Sequence, residues 1–482
     1  MEPTYDFGMI GIGVMGSNLL LNIADQGYSV IGFDLKQERA DALEAAARPG
    51  TTVKGVTDVT LLAAGLKRPR KLMILVPAGK PVDDVIANLL PHLQEGDILI
   101  DGGNSYFKDT NRRFRELQPR GIHFFGMGVS GGELGARLGP SLMPGGDAAA
   151  YEYLKPILES VAASHDGVPC VAFMGREAAG HYVKMVHNGI EYALMQLLSE
   201  AYDLMRRGGY SNKQLATVFS RWNEGPLRSY LVEITADIFT VLDDEDASGA
   251  TYLIDRILDA AASKGTGKWT SVEGMDLPVA IPTIDAAVSA RTLSGGKELR
   301  LRVEALFPQE PRAEAVFTEE DAAELETALS VCFVIAYAQG LSLLVAASDA
   351  YQMEIPMASV VRVWRAGCII RSGLLPLFAD AFDEQPKLPS VLLHPALASW
   401  LQQRTGALRG VVSKGVAGGI PLAAMSSALA YFDALRSGRG PTNLVQAQRD
   451  YFGAHTYRRT DREGVFHTEW NRDKTQSDNP VT

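Results

Sequence analysis

At 482 residues the chain is too long for one ordinary hydrophobic core, so two or three domains are expected. A content of 46% hydrophobic and 21% charged residues excludes an intrinsically disordered chain, and a formal net charge of −11 argues against general affinity for nucleic acid. Against that acidic background, any anionic ligand must be met by a local cluster of basic residues.

The apolar stretches read as broken by charge or glycine before the roughly 20 residues that a helix needs to cross a bilayer. The start of the chain, Met1-Glu-Pro-Thr-Tyr-Asp6, lacks the basic and then apolar pattern of a secretion signal, so a cytoplasmic protein with no membrane partner is expected. Cys170, Cys332 and Cys368 are far apart, which suits reduced, buried thiols. The eight histidines form no HxxxH or Cys/His cluster, and no metal is expected.

In chain order, Tyr5-Asp-Phe-Gly-Met-Ile10 reads as a buried strand that runs into Gly11-Ile12-Gly13-Val14-Met15-Gly16. A helix with Leu19, Leu20, Leu21 and Ile23 follows, stops at Gly27, and gives way to a second strand over 28–33 ending on Asp34. The three glycines serve a tight turn, close approach of backbone to a diphosphate, and close packing of helix on strand, and the helix start offers N–H groups to that diphosphate. A strand before the glycines, a helix after them and an acidic residue after the second strand together point to dinucleotide binding. Residues 71–76 and 97–101 read as further parallel strands, with helices near 80–94 and 109–119. Their loops, Pro77-Ala78-Gly79 and Gly102-Gly-Asn104-Ser105, are expected to line the cofactor site, because ligands bind at the carboxyl ends of such strands. Another strand, 123–128, leads into Val129-Ser130-Gly131-Gly132, which reads equally as a carboxylate-binding turn or a flexible loop.

From Ala178 to about residue 436 the βα alternation gives way to Ala/Leu-rich helical patterns. In Lys184-Met-Val-His187-Asn188-Gly189-Ile-Glu191-Tyr192, the residues Lys184, His187, Asn188 and Glu191 are spaced to share one helix face. Charged residues on a helix usually form a solvated face. Here the neighbours are bulky and apolar, and Gly189 costs roughly 1 kcal/mol of helix stability relative to Ala, which a close approach would explain. A lysine and a glutamate two turns apart suit an acid/base pair across a substrate. Farther on, the Gly-rich basic loop Lys264-Gly-Thr266-Gly-Lys268-Trp269 and Arg291 suit a phosphate, without P-loop spacing. A weak internal echo links Trp222-Asn-Glu-Gly225-Pro-Leu-Arg228-Ser229 with Trp364-Arg-Ala-Gly367-Cys-Ile-Ile-Arg371-Ser372, and suggests a duplicated helical unit. After Gly440-Pro441 the chain turns polar, and a segment bearing Arg449, Tyr451, Phe452, His455 and Trp470 reads as one that docks on a partner subunit. The organisation expected is an α/β Rossmann-like, doubly wound domain over 1–178, an all-α substrate and dimerisation domain over 179–440, and a C-terminal tail over 441–482.

Taken together, residues 11–16, Ile100-Asp-Gly-Gly-Asn-Ser105, Val129-Ser-Gly-Gly-Glu133, Gly139-Pro-Ser-Leu-Met-Pro-Gly-Gly146, 184–192, 264–269 and Gln446-Ala-Gln-Arg-Asp-Tyr-Phe-Gly-Ala-His-Thr-Tyr457 resemble, in order and over almost the whole chain, the motifs of the long-form decarboxylating 6-phosphogluconate dehydrogenases. That resemblance implies oxidation and decarboxylation of 6-phosphogluconate to ribulose 5-phosphate with reduction of NAD or NADP, a step of the pentose phosphate pathway. It implies Lys184 as general base and then acid, and Glu191 as the acid that protonates C1. It also implies a homodimer in which each tail brings Arg449 and His455 to the partner's site. The phosphate would lie with Lys264, Thr266, Arg291 and Arg449 beside Tyr192, the carboxylate end with Ser130, Gly131 and Gly132, and the hydroxyls with Asn104, His187 and Asn188. The cofactor would lie along Gly11, Ile12, Gly13, Val14, Met15, Gly16, Asp34, Leu35, Lys36, Val76, Pro77, Ala78 and Asn104.

Two departures stand out. Asp34-Leu35-Lys36 occupies the place of the family's usual Asn-Arg-Thr, which removes the arginine that faces the 2′-phosphate of NADP and sets a carboxylate there, favouring NAD. Pro77 stands where a lysine is usual, removing a backbone donor and a cation. The rival readings are another β-hydroxyacid dehydrogenase, which would lack the tail and the phosphate residues, and a catalytically silent dinucleotide-sensing protein, which would be free to lose Lys184 and Glu191.

Overall fold

The structure is a computed structural model that describes residues 4–246, 248–263, 265–308 and 317–470. The chain divides into two compact units, Met1–Leu429 and Ala430–Thr482.

The first unit opens with alternating strands and helices: β1 (Phe7–Ile10), α1 (Val14–Asp25), β2 (Val30–Phe33), α2 (Gln37–Ala45), β3 (Val53–Val56), α3 (Val59–Gly65), β4 (Lys71–Ile74), α4 (Lys80–Leu89), β5 (Ile98–Asp101), α5 (Phe107–Leu117) and β6 (His123–Ser130). Then come α6 (Gly132–Leu138), β7 (Ser141–Gly145) and α7 (Ala148–Val161). The sheet order is β3-β2-β1-β4-β5-β6-β7, parallel throughout except for β7, which runs antiparallel to β6. In register, Phe7 faces Val30 and Gly8 faces Leu72. Alternation along the strands sends Phe7, Met9, Met73, Ile98 and Ile100 into one core, and Ile10, Ile31, Leu72, Ile74 and Leu99 into the other. Both faces are therefore covered by helices, as a parallel sheet requires.

The doubly wound fold expected from the sequence is thus present, with three differences. β3 has no clear sequence signal, because Val-Lys-Gly-Val is short and shows no alternation; Gly55 is required there, since a Cβ would lie 2.4 Å from the Ala40 carbonyl oxygen. β7 reads in the sequence only as a motif, since Pro144 and Gly145 look like a turn; on an antiparallel edge strand a proline is tolerated. β6 continues through Ser130, so this serine ends a strand rather than opening a loop.

Helices then take over: α8 (Ala179–Arg207), α9 (Asn212–Trp222), α10 (Tyr230–Ile238), α11 (Thr266–Asp276), α12 (Pro282–Gly295), α13 (Lys297–Leu306), α14 (Glu319–Ala350), α15 (Met357–Val363), α16 (Leu375–Glu384), α17 (Pro395–Gln402), α18 (Thr405–Ala417) and α19 (Ala423–Leu435). Helices α8 and α14 cross closely, for a Cβ on Gly340 would lie 2.5 Å from the Ile190 side chain. Contrary to the expectation that no apolar stretch is long enough to span a bilayer, α14 passes that test by length and composition, but 89% of its apolar window is buried inside the fold. The interruption at Gln339 and Gly340 is internal packing. Gln339 accepts from the Thr283 N–H (3.0 Å) and donates to the Thr283 hydroxyl (2.9 Å).

The two segments of the internal echo meet. Ser229 and Ser372 pair antiparallel, Tyr230 N donates to the Arg371 carbonyl (3.1 Å) and Gly373 N to the Arg228 carbonyl (2.8 Å). Trp222 and Trp364 are both fully buried. In the second unit, α20 (Thr442–Gly453) is followed by a turn in which Tyr457 and Phe466 pair antiparallel. Buried Asp450 ties them by accepting from Thr456 N (2.9 Å), Thr468 N (3.0 Å) and Trp470 Nε1 (2.8 Å).

Candidate active site

The glycine turn after β1 has the geometry of a diphosphate cradle. Gly11 adopts φ +91°, and a Cβ there would lie 2.4 Å from the Leu75 carbonyl oxygen. A Cβ on Gly16 would lie 2.0 Å from the Gly11 carbonyl oxygen, so α1 can start against the turn only with glycine at that position. Gly13, the N-cap of α1, offers no side-chain cap, leaving the first-turn N–H groups to a ligand. Ile12 is buried in the core, and Val14 is exposed at the first helical position.

A cavity of about 890 Å³ opens beside this turn, lined among others by Gly11, Gly13, Asp34, Leu35, Val76 and Pro77. Buried Asp34 accepts from Lys36 N (3.1 Å) through Oδ1 and pairs through Oδ2 with Arg39 Nη1 (2.9 Å). Leu35 is 86% exposed. Arg39 has no distinguishing signal in the sequence. It lies one turn into α2 in a run of charged residues, where only the fold shows that it turns back to the strand end. Among the described residues lining the cavity, the carboxylates are Asp34, Asp58 and Asp84, and the cation is Arg39.

The helical stripe is buried, not solvated. Lys184, His187 and Asn188 are all buried on α8, which lies against β6 so closely that a Cβ on Gly128 would lie 2.5 Å from Lys184 Cβ. His187 Nδ1 lies 3.0 Å from Asn188 Oδ1, 3.5 Å from Lys184 Nζ and 3.8 Å from Glu191 Oε2. His187 Nε2 lies 3.2 Å from the Ser130 hydroxyl and 2.8 Å from the Cys368 thiol. Burial, assisted by the Lys184 charge, holds the imidazole well below its usual range and therefore neutral. In the tautomer that suits these partners, Nδ1–H donates to Asn188 and Nε2 accepts from the hydroxyl and thiol. Cys368, which in the sequence looks like a plain thiol inside the echo, is pushed up to about 12 by burial and stays protonated.

Burial also moves the two candidate acid/base groups. It lowers Lys184 from the ordinary lysine range, opposed by the charge of Glu191, and raises Glu191, opposed by the charges of Lys184 and Arg291. Both shifts favour the uncharged forms.

Gly189 makes a close approach, but to a neighbouring helix: a Cβ would lie 2.6 Å from Thr270 Cγ2 on α11, and the Thr270 hydroxyl donates to the Met185 carbonyl (2.9 Å). This seats Thr266 at the start of α11, behind Gly265 (φ +93°), near Tyr192, whose ring would touch a Cβ on Gly267 at 2.6 Å. The Arg291 guanidinium sits 3.7 Å from the centroid of that ring. Lys184, His187, Asn188, Glu191, Tyr192, Thr266 and Arg291 are thus brought together around α8 with Ser130. Gly131 (φ +115°) and Gly132 (φ +64°) open α6 beside them. Asn104 is exposed at the tip of the loop after β5, and Ala78 lies in the loop after β4. Lys264 lies outside the described residues. Arg449 and His455 belong to the second unit, where Arg449 Nη1 donates to Gln446 Oε1 (3.3 Å) and His455 packs edge-on against Phe452.

Two family profiles match the chain: the NAD binding domain of 6-phosphogluconate dehydrogenase over residues 6–176, and the 6-phosphogluconate dehydrogenase C-terminal domain over residues 180–470. A Bacillus subtilis NADP(+)-dependent, decarboxylating 6-phosphogluconate dehydrogenase is 47% identical over 465 residues, covering 96% of this chain and 98% of its own. A decarboxylating 6-phosphogluconate dehydrogenase of Saccharomyces cerevisiae is 46% identical, covering 94% and 92%. A solved Plasmodium falciparum 6-phosphogluconate dehydrogenase, described in apo form and in complex with NADP+ and with 6-phosphogluconate, superposes with a TM-score of 0.93 at 43% identity, covering 96% of this chain and all of that one.

Proposed function

The chain belongs to the 6-phosphogluconate dehydrogenase family, and on that footing we propose that it oxidatively decarboxylates 6-phosphogluconate to ribulose 5-phosphate and CO2 with Lys184 and Glu191 as its proton-transfer groups. The observation that carries this reading is a buried lysine and a partly buried glutamate on one helix face, either side of buried His187 and each shifted toward its neutral form.

When bound, the nicotinamide dinucleotide supplies the hydride acceptor at the substrate's C3. The turn over Gly11–Gly16 suits its diphosphate, because glycine at 11 and 16 lets the turn pack against the β4 strand end and α1 start against the turn, with the first-turn N–H groups left uncapped. Lys184, as a neutral amine, takes the C3 hydroxyl proton as C3 is oxidised. The 3-keto acid so formed carries its carbonyl β to the carboxylate, and the C1–C2 electron pair moves toward that carbonyl as CO2 leaves. Lys184, now an ammonium, returns its proton to the carbonyl oxygen to give the enediol. Glu191 delivers a proton to the former C2 carbon, which becomes C1 of ribulose 5-phosphate, as the neutral Lys184 takes back the hydroxyl proton of the enediol to restore the ketone. His187, neutral and bonded on both ring nitrogens, orients the hydroxyls together with Asn188 and Asn104. Ser130, Gly131 and Gly132 meet the carboxylate end. Thr266 and Arg291, with Lys264 two positions before Thr266 in the sequence, take the phosphate.

NAD is the proposed preference over NADP. Asp34, Asp58 and Asp84 line the cavity with one arginine; Asp84 is paired with Lys80 (2.6 Å), and the arginine already pairs with Asp34. A ribose hydroxyl can donate to Asp34, whereas a 2′-phosphate would meet its charge. The proposed assembly is a homodimer completed by the partner's Arg449 and His455. Large apolar side chains support it, with Phe307 in the first unit and Phe452 in the second each 73% exposed.

Supplying 6-phosphogluconate with NAD and then with NADP, while following reduced nicotinamide and CO2, tests the whole reading. Turnover with release of one CO2 per reduced cofactor, faster with NAD, is expected. Absence of turnover with both overturns the reaction, and a preference for NADP overturns the cofactor argument.

A further inference from the structure

A buried cluster behind the site takes no part in the proton transfers. Arg113 on α5 is 1% exposed, and its guanidinium reaches three segments. Nη2 donates to the Gly79 carbonyl (2.9 Å) in the loop after β4, and Nε donates to Asp83 Oδ1 (2.7 Å) in the first turn of α4. Nη1 pairs with Asp101 Oδ2 (3.3 Å) at the end of β5. Fully buried Asp101 in turn accepts from Gly103 N (3.1 Å) and from the Ser105 hydroxyl (2.6 Å), the residues on either side of Asn104. One turn before Arg113, the Thr110 hydroxyl lies 2.7 Å from His181 Nδ1, and His181 sits on α8 one turn before Lys184. Helix α5 therefore holds both cofactor-side loops with one face and touches the catalytic helix with the same face.

We propose that Arg113 is a positioning residue for the dehydrogenation, clamping the loops after β4 and β5 to each other so that Asn104 and the Val76–Gly79 segment present a fixed edge to cofactor and substrate. This rests on the assignment of those two loops to the site. The physical reason is the planar fork. A buried ion pair adds little net stability, because desolvation offsets most of its attraction. What the guanidinium supplies is five N–H donors at set angles, enough to bind three segments at once, and neither a lysine nor an apolar residue of the same volume does that. A shift of about 1 Å in a loop that aligns reactants can lower turnover by about 100-fold.

The test compares Arg113→Lys, the double variant Arg113→Met with Asp101→Asn, Ser105→Ala and Asn104→Ala. The double variant removes the clamp without stranding a buried charge. The measurements are the Kd of the dinucleotide by titration calorimetry, kcat, the substrate KM, and Tm. The double variant is expected to raise the dinucleotide Kd by about tenfold, lower kcat by about 100-fold and raise the substrate KM by a smaller factor, about threefold. Arg113→Lys should recover only part of the loss, and Ser105→Ala should produce a smaller shift in the same direction. A folded double variant with a lowered Tm but unchanged Kd and kcat overturns the proposal, because that is the signature of a purely structural pair. If the double variant does not fold, unchanged constants in Ser105→Ala overturn it instead. Should Asn104→Ala leave both ligands' constants unchanged, the assignment of the loops itself fails. Should Asn104→Ala shift them while the clamp variants do not, only the clamp fails.

Discussion

At the cofactor end the molecule presents backbone. Gly11 and Gly16 let the turn pack tightly between strand and helix, the start of α1 leaves N–H groups uncapped, and buried Asp34 at the strand end pairs with half-exposed Arg39. Along α8 it does the reverse, burying Lys184, His187 and Asn188 so that solvent no longer stabilises a charge on the lysine or the imidazole. The first arrangement fits a ligand that carries its own charge and needs donors. The second fits a reaction in which protons move, because a lysine that must accept a proton and a glutamate that must hold one both benefit from the cost of charge in a poorly solvated site. In the proposed mechanism, dinucleotide recognition and proton transfer thus use different kinds of surface.

The sharpest way to break this contrast is at the lysine. Lys184→Met should lower kcat by at least about 10⁴-fold with the dinucleotide Kd unchanged, as measured by steady-state rates and titration; a loss below tenfold would remove Lys184 as the base. Glu191→Gln should cost less, about 10²- to 10³-fold in ribulose 5-phosphate formation, while a pre-steady-state burst of reduced nicotinamide persists. The pH profile separates the two. Lys184 must be neutral, so the rate rises with pH through its lowered pKa. Glu191 must be protonated, so the rate falls as pH rises through its raised pKa, and Glu191→Gln should erase that alkaline limb.

A smaller effect sharpens the other side of the contrast. Asp34→Asn with Leu35→Arg should shift the ratio of kcat/KM for NAD and NADP toward NADP by about 10- to 100-fold, with kcat on the better cofactor nearly unchanged. An unaltered ratio would show that the Asp34–Arg39 edge does not select the cofactor. The smallest expected effect is on packing. Gly189→Ala gains about 1 kcal/mol of helix propensity but drives a methyl into Thr270, for about 1–3 kcal/mol of strain, so a Tm loss of a few degrees is expected by calorimetry.

Sequence pattern alone determined the central parallel strands of the sheet, the glycine turn, the switch to helices after Ala178 and the shared face of Lys184, His187, Asn188 and Glu191. These depend on local rules, a period of two in strands and of 3.6 in helices, and on glycines that a neighbouring backbone requires. The tertiary structure decided what has no local signature. Strands β3 and β7 are held by their neighbours rather than by their own composition. Helix α14 looks long and apolar enough for a membrane, yet it is the helix against which α8 packs. Arg39, Arg113 and Cys368 gain their partners from residues 5, 12 and 181 positions away. The burial that lowers the Lys184 pKa is likewise a property of β6 and the other elements closing over α8. A pattern in the chain can nominate a charged residue, but whether its charge is favoured depends on how much water the rest of the fold leaves around it.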